Sequence, residues 1–152
     1  MHYWLMKTEP DEFSIDDLSK KKVEPWTGVR NYQARNFMRD GMRKGDGVLF
    51  YHSSCEVPGV AGIAEVAGAA YPDPTQFDPN SDYFDAGSGR DAPRWFLVDV
   101  KYKRKLKRVV TLAELKGRKE LKDMVLLRPG NRLSVSPVTK QQWDFILGLE
   151  AG

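Results

Sequence analysis

The 152-residue sequence is poor in the features that mark secreted, membrane-spanning and metal-stabilised proteins. Its single cysteine, Cys55, cannot form an internal disulfide, and one thiol alone cannot anchor a zinc site. No apolar run approaches the ~20 residues that a membrane-spanning helix needs. The segment Met1 to Lys7 lacks the basic stretch and small-residue cleavage site of a secretory signal. We therefore expect a cytoplasmic protein, nucleoid-associated or, in a eukaryote, nuclear, with no membrane partner.

Motifs for cofactors and catalysis are also missing. The sequence has no phosphate-cradling glycine loop, no dinucleotide fingerprint and no zinc-ligand spacing, and the aspartates of residues 73–91 do not follow a calcium-loop pattern. His52 and Cys55 form a His–Cys pair, but a spacing of three fixes no geometry and no carboxylate is placed to orient the imidazole. We therefore predict no cofactor, no metal and no catalytic residue.

The composition is that of an ordinary globular domain, with 41% apolar and 30% charged residues. A chain of this length fits one domain, which we place over residues 1–152. Strand patterns alternate with short helix patterns, without the repeated strand–long-helix units of a parallel sheet. This order predicts an α+β fold with a curled, mostly antiparallel sheet. Strands are expected at residues 2–7, 47–53, 60–66 and 95–106, and helices at residues 15–21, 31–40, 111–116 and from 138 onward.

Charge is distributed unevenly along the chain, whose formal net charge is +3. Residues 1–99 carry 11 basic and 16 acidic side chains, whereas residues 100–152 carry 13 basic and 5 acidic ones. Within the predicted strand of residues 95–106 and just beyond it, every second residue is a lysine, and alternation would place these lysines on one face. Such a row either binds phosphates or protects an edge strand from pairing with another chain. The row comprises Lys101, Lys103, Lys105 and Lys107.

Trp26 is the aromatic residue most suited to a ligand site. It lies between Pro25 and Gly28, in a loop that precedes a predicted helix. A loop tryptophan either packs beneath the loop or lines a pocket, and the residues alone favour packing. Arg30 adds a planar set of donors nearby, so a flat ligand with polar edges would fit this corner.

Several stretches together resemble the EVE domain, a member of the PUA-like superfamily, over nearly the full length. The resemblance implies a PUA-like β-barrel of mostly antiparallel strands with short peripheral helices. It also implies a non-catalytic module that reads a modified base in DNA or RNA, related to the YTH readers of methylated adenine, and we expect a monomer. The matching stretches are residues 3–10, 26–36, 50–53, 58–62, 71–73 and 132–135, which include YWLMKTEP, WTGVRNYQARN and RLSV.

The resemblance also indicates a site. In YTH domains a flipped methyl-base lies in an aromatic cage, and Trp26 matches one cage tryptophan, with Thr27 where YTH domains have a serine. The second cage aromatic has four candidates, Tyr71, Phe77, Tyr83 and Phe84. The predicted base-binding set is Trp26, Thr27, Arg30, Asn31, His52, Ser53 and Tyr71, and the lysine row is predicted to face the nucleic-acid backbone. An alternative follows from the related ASCH domains, which include amidohydrolases acting on modified nucleosides; it would recruit Lys7, Thr8, Thr27 and Glu65.

Overall fold

The structure is a computed structural model, and it describes residues 1–151. Within them lie eight strands and four α-helices. The strands are β1 (Tyr3–Thr8), β2 (Val23–Pro25), β3 (Gly47–His52), β4 (Gly59–Val66), β5 (Tyr71–Pro72), β6 (Phe96–Leu97), β7 (Asp99–Thr111) and β8 (Val135–Val138). The α-helices are α1 (Ile15–Lys21), α2 (Tyr32–Asn36), α3 (Leu112–Lys116) and α4 (Lys140–Leu149), and short 3₁₀ turns occupy Pro74–Phe77, Lys119–Leu121 and Val125–Leu127.

Six of the strands form one mixed sheet in the order β2-β7-β4-β3-β1-β8. β1 and β3 run parallel, and the other neighbours in this sheet are antiparallel. β5 and β6 form a separate antiparallel pair. Because β2 and β8 remain open edges, the sheet curls into a half-barrel without closing. The predicted α+β fold of mostly antiparallel strands with short helices is confirmed.

Local capping chemistry fixes where the helices begin. Ser14 forms a capping box with Asp17 at the start of α1, and Thr139 forms one with Gln142 at the start of α4, where helices were predicted at residues 15–21 and from 138 onward. Asn31 caps α2 by accepting a hydrogen bond from the Ala34 backbone. The predicted helix of residues 31–40 is not one α-helix, since its second half is a π-helical turn over Phe37–Gly41.

Alternation along the strands divides the core between the two faces of the sheet. Met6 and Phe50 belong to a cluster that includes Leu18 of α1, so we call this side the α1 face. Leu5 and Leu49 belong to a second cluster that includes Ile146 of α4, and this side is the α4 face. Both faces are covered, and no helix in residues 1–151 is long and apolar enough to cross a bilayer.

The lysine row does not lie on one face, contrary to prediction. Tyr102 pairs with Ala64 and Arg104 pairs with Ile63, so β7 contains one extra residue, Lys103, at this point. Such a bulge inverts the alternation: Tyr102 packs on the α1 face, whereas Leu106 packs on the α4 face.

Contacts of the lysines agree with this inversion. Lys103 Nζ lies 4.0 Å from Glu65, and Lys105 Nζ lies 3.0 Å from Asp16 of α1. The bulge therefore places Lys101 and Lys103 on the α4 face and Lys105 and Lys107 on the α1 face. All four side chains are exposed.

Candidate functional site

A cavity of about 540 Å³ opens where the parallel strands β1 and β3 end. The carboxyl ends of parallel strands meet at one sheet edge, so Lys7 and Thr8 of β1 lie beside Ser53, which follows β3. The segment after β2 and the segment before β8 complete the walls. The lining residues are Lys7, Thr8, Glu9, Glu12, Phe13, Glu24, Pro25, Trp26, Thr27, Gly28, Val29, Arg30, Ser53, Ser54, Tyr83, Arg132 and Ser134.

Trp26 forms part of both the core and the cavity wall. It is only 8% exposed and meets Phe13 and Phe50 edge to face, with ring centroids 6.4 and 5.7 Å away. Its indole Nε1–H has no hydrogen-bond partner among residues 1–151 and is not shielded from solvent. Trp26 therefore packs beneath its loop and also lines the cavity, because its ring is buried while one edge and its donor remain available to a ligand.

Tyr83 supplies the exposed aromatic ring of the cavity. It is 41% exposed, and its ring lies directly on Gly28. Gly28 has φ +87°, and a Cβ there would lie 2.6 Å from the Tyr83 ring. Only glycine therefore allows both this backbone conformation and this close contact. Of the four candidates for a second cage aromatic, Tyr83 is the one that the structure brings to the cavity.

A buried carboxylate, Asp73, holds the Tyr83 wall in place. It accepts hydrogen bonds from the Gly28 backbone (2.9 Å), from Arg30 (3.1 Å) and from the Thr75 hydroxyl (2.6 Å). Burial alone would raise the pKa of Asp73, but the bonds from Thr75, Gly28 and Arg30 together outweigh it and lower the pKa. The carboxylate is therefore ionised and fully used within the protein.

Arg30 lines the cavity as predicted, but its donors are already engaged. Besides Asp73, its guanidinium donates to the Thr75 hydroxyl (3.1 Å) and to the Tyr83 carbonyl (2.8 Å). Its planar group also lies 5.4 Å from the centroid of the Tyr83 ring. Arg30 is therefore a positioning residue for Tyr83, rather than a free donor at the rim.

Several polar groups of the cavity make no hydrogen bond or ion pair with the described residues. They include the half-buried ammonium group of Lys7, which lies 6.0 Å from the centroid of the Tyr51 ring and whose pKa is lowered because burial removes it from water. They also include the hydroxyls of Thr27, Ser53 and Ser134 and the carboxylates of Glu9 and Glu12. Donors and acceptors are thus both available to a bound molecule.

His52 does not line the cavity, contrary to prediction. Strand alternation places it on the same face as Phe50, whose ring it meets edge to face at 5.8 Å. Its Nε2 accepts a hydrogen bond from the Ile15 backbone N–H (3.1 Å), at the start of α1. Burial is the main cause that lowers the pKa of His52, which favours the neutral acceptor form.

Two further predicted base contacts also lie outside this cavity. The Asn31 side chain caps α2 and borders a second cavity instead. Tyr71 lies on β5 opposite Leu97, and its hydroxyl donates to Asp99 (2.6 Å). Trp26, Thr27, Arg30 and Ser53 are the predicted residues that the fold brings together.

The residues that sequence reasoning missed come from distant segments. Phe13 could have been found, because it precedes the capping residue Ser14 and an apolar residue there usually packs against its helix. Arg132 and Ser134 reach the cavity only because β8 pairs with β1, and no local pattern reveals that pairing.

The residues of the enzymatic alternative are not assembled. Lys7, Thr8 and Thr27 line the cavity, but Glu65 pairs across from Lys101 on the α4 face, close to Lys103. Within residues 1–151 there is also no group of three His, Cys, Asp or Glu side chains able to hold a metal ion.

Comparison with known proteins places this geometry in a family. The model of the EVE domain matches residues 2–149. Human thymocyte nuclear protein 1 is 44% identical over 97% of this chain and 73% of its own length. The crystal structure of human THYN1 protein in complex with DNA containing 5-methylcytosine has a TM-score of 0.95 and 43% identity, and it covers all of this chain and 99% of that one.

Bacterial structures have the same fold. A Pseudomonas syringae protein has a TM-score of 0.94 and 50% identity over 97% of this chain and 99% of that chain. A Zymomonas mobilis ASCH protein has a TM-score of 0.58 at 12% identity, over 98% of this chain and 99% of that chain, a likeness of fold alone. This chain belongs to the EVE domain family.

Proposed function

We propose that this protein binds nucleic acid and reads a modified base, which is held in the cavity beside Trp26. The candidate ligand is cytosine methylated at C5 within DNA. One observation carries the proposal: a cavity of about 540 Å³ has aromatic walls and unpaired polar groups, in a chain whose whole fold closely matches that of a relative. That relative, human THYN1 protein, was solved in complex with DNA containing 5-methylcytosine.

The chemistry of the cavity suits a pyrimidine. A base has two flat apolar faces and a polar edge; the exposed Tyr83 ring offers aromatic surface for one face, and the accessible edge of Trp26 lies at the cavity wall. Lys7 and the Trp26 Nε1–H can donate to the carbonyl and ring nitrogen of cytosine. Glu9 or Glu12 can accept from its exocyclic amine, as carboxylates do from cytosine N4 in DNA grooves.

A base in a duplex must leave the stack to reach this cavity. Flipping costs a few kcal/mol, and stacking on an aromatic side chain returns about 1–3 kcal/mol per base. Stacking on Tyr83, contact with the Trp26 edge and several hydrogen bonds therefore offset the cost of flipping, without any chemical step. For this reason we infer a binding role rather than catalysis, with the protein acting where the nucleic acid lies: in the cytoplasm or nucleoid, or in the nucleus of a eukaryote.

The direct test compares oligonucleotides that differ at one cytosine. Fluorescence anisotropy at fixed salt concentration should show tighter binding of the 5-methylcytosine strand than of the unmodified strand. One methyl group in an apolar pocket is worth about 10–200-fold in affinity. Both single strands and duplexes should be titrated, since the duplex value includes the cost of flipping.

Two results would contradict the proposal. Equal affinity for modified and unmodified strands would mean that the cavity does not read this base. Conversion of a modified nucleoside to a new product, detected by chromatography after incubation, would instead support the amidohydrolase alternative.

A further inference from the structure

A second cavity, of about 570 Å³, lies next to the first, and Arg132 borders both. Its floor is apolar, with Phe37, Leu133 and Pro137, while its rim is basic and amide-rich. It lies between the start of α2 and the segment that leads into β8. The lining residues are Asn31, Gln33, Phe37, Val125, Arg128, Pro129, Gly130, Asn131, Arg132, Leu133 and Pro137.

The two arginines of this rim differ from the others in the described chain. Nine of the eleven arginines bind a carboxylate, a carbonyl, a side-chain amide or an aromatic ring, as Arg30 and Arg108 do. Arg128 and Arg132 are exposed and make no such contact with any residue of 1–151. A guanidinium with five free donors suits a phosphate, which it can bind through two parallel hydrogen bonds.

The same cavity contains an unsatisfied amide. Asn131 Oδ1 accepts a hydrogen bond from the Leu133 backbone N–H (3.2 Å), which fixes the side chain. Its Nδ2 is shielded from solvent and has no partner among the described residues. An unpaired buried donor is costly, and this one belongs to a residue that lines the second cavity.

We propose that the second cavity binds the nucleotide next to the read base, with Arg128 and Arg132 holding its phosphodiester. This proposal rests on the proposed function, because it assumes that a strand enters the first cavity. Arg132 joins the two cavities, so a phosphate at its guanidinium links a base in the first cavity to a sugar or base on the apolar floor of the second. The lysine pairs of β7 provide no comparable pocket, since neither pair borders either cavity.

Arg128→Gln is the cleanest test, because Arg128 is exposed and borders only the second cavity. Binding of a single-stranded oligonucleotide with one 5-methylcytosine is measured over a range of salt concentrations. Losing one phosphate contact should reduce the slope of log K against log salt by about 0.7. Arg128→Lys should retain most of the slope, and Lys119→Gln, an exposed cation that borders neither cavity, is the matched control.

A nucleoside probe separates this proposal from the proposed function. 5-Methyldeoxycytidine carries no phosphate, so Arg128→Gln should leave its affinity unchanged. An unchanged slope in Arg128→Gln, with preference for the methylated strand intact, would overturn the second site and leave the base reader standing. A reduced slope without any preference for the methylated strand would support the phosphate site and overturn the base reader.

Discussion

Trp26 and Tyr83 contribute to the cavity unequally because one ring is buried and the other is exposed. Trp26 is held between Phe13 and Phe50, so its removal would leave a hole in the core. Truncation of a buried tryptophan typically costs about 3–5 kcal/mol of stability, which would confuse any binding measurement. Tyr83 is 41% exposed and is therefore the better residue with which to test stacking.

We expect Tyr83→Ala to weaken binding of the methylated oligonucleotide by about 1–3 kcal/mol, the usual contribution of one aromatic–base stack. The melting temperature should change little, since little apolar surface is lost from the core. Phe84→Ala is a matched control, because Phe84 is 42% exposed but does not line the cavity. Titration and thermal melting of both variants give the answer; equal losses of affinity in the two would show that Tyr83 has no specific role.

Single residues also show how far sequence reasoning extends. Trp26 could be selected because its loop position and its flanking Pro25 and Gly28 are local features. Tyr71 and Tyr83 could not be separated, because both lie in the long segment of residues 71–94. The contact of Tyr83 with Gly28 and the bond from Tyr71 to Asp99 depend on tertiary structure alone.

At the scale of the element, the bulge in β7 determines which of the four lysines can contact the same partner. A continuous row on one face would let a single polyanion contact all four lysines. The bulge at Lys103 instead directs Lys101 and Lys103 to one face and Lys105 and Lys107 to the other. Beyond Tyr102, β7 extends past the end of β2, so edge protection remains the other interpretation of Lys103, Lys105 and Lys107, whereas Lys101 pairs with Val23 of β2.

The two lysine pairs should therefore not act together. If one pair contacts a single strand, replacing it with glutamine should reduce the salt slope by about 1.4, from two contacts of ~0.7 each. Replacing all four should give no larger reduction than the more effective pair alone. The slope is measured for Lys101→Gln/Lys103→Gln, for Lys105→Gln/Lys107→Gln and for the fourfold variant. If the fourfold variant reduced the salt slope by twice as much as one pair variant, the two pairs would act together, contrary to this prediction. If no variant changed the slope, edge protection would be the role of Lys103, Lys105 and Lys107.

Elements encoded by local chemistry were predictable, and those that depend on pairing were not. The capping boxes at Ser14 and Thr139 involve residues three apart, so the starts of α1 and α4 follow from the sequence. Gly62 is a residue of the kind that marks a bulge in a strand, and the register of β4 does shift beside it. The bulge at Lys103 has no glycine to mark it and became visible only through its partners on β4.

At the scale of the whole molecule, the site depends on contacts between segments distant in the chain. Asp73 links the loop after β2, through Gly28 and Arg30, to the segment that contains Thr75 and Tyr83. The segment before β8 places Ser134 beside β1, where its carbonyl accepts a hydrogen bond from the Lys7 backbone N–H (2.8 Å). The cavity therefore exists only in the folded chain, and its integrity should be coupled to global stability.

This coupling gives the protein a predictable response to acid. The pKa of Asp73 is lower in the folded protein than its ordinary value, so its ionised form stabilises the fold. The stabilisation from ionised Asp73 is fully present above the ordinary carboxyl pKa, near ~3.9, and is lost as pH falls through the lower pKa that Asp73 has in the folded protein. At neutral pH, Asp73→Asn should therefore reduce the free energy of unfolding by about 1.5–3 kcal/mol, the value of a hydrogen bond to a charged group.

The difference between wild type and Asp73→Asn should shrink as pH falls below ~4, because the wild-type carboxylate then becomes protonated and resembles the amide. Denaturant unfolding of both proteins at a series of pH values measures this difference. Asp82→Asn serves as the control, since Asp82 lies in the same loop, is exposed and makes no hydrogen bond with the described residues. A difference between wild type and Asp73→Asn that stays constant down to pH ~2 would show that the charge of Asp73 does not hold the Tyr83 wall, and that shape alone keeps it in place.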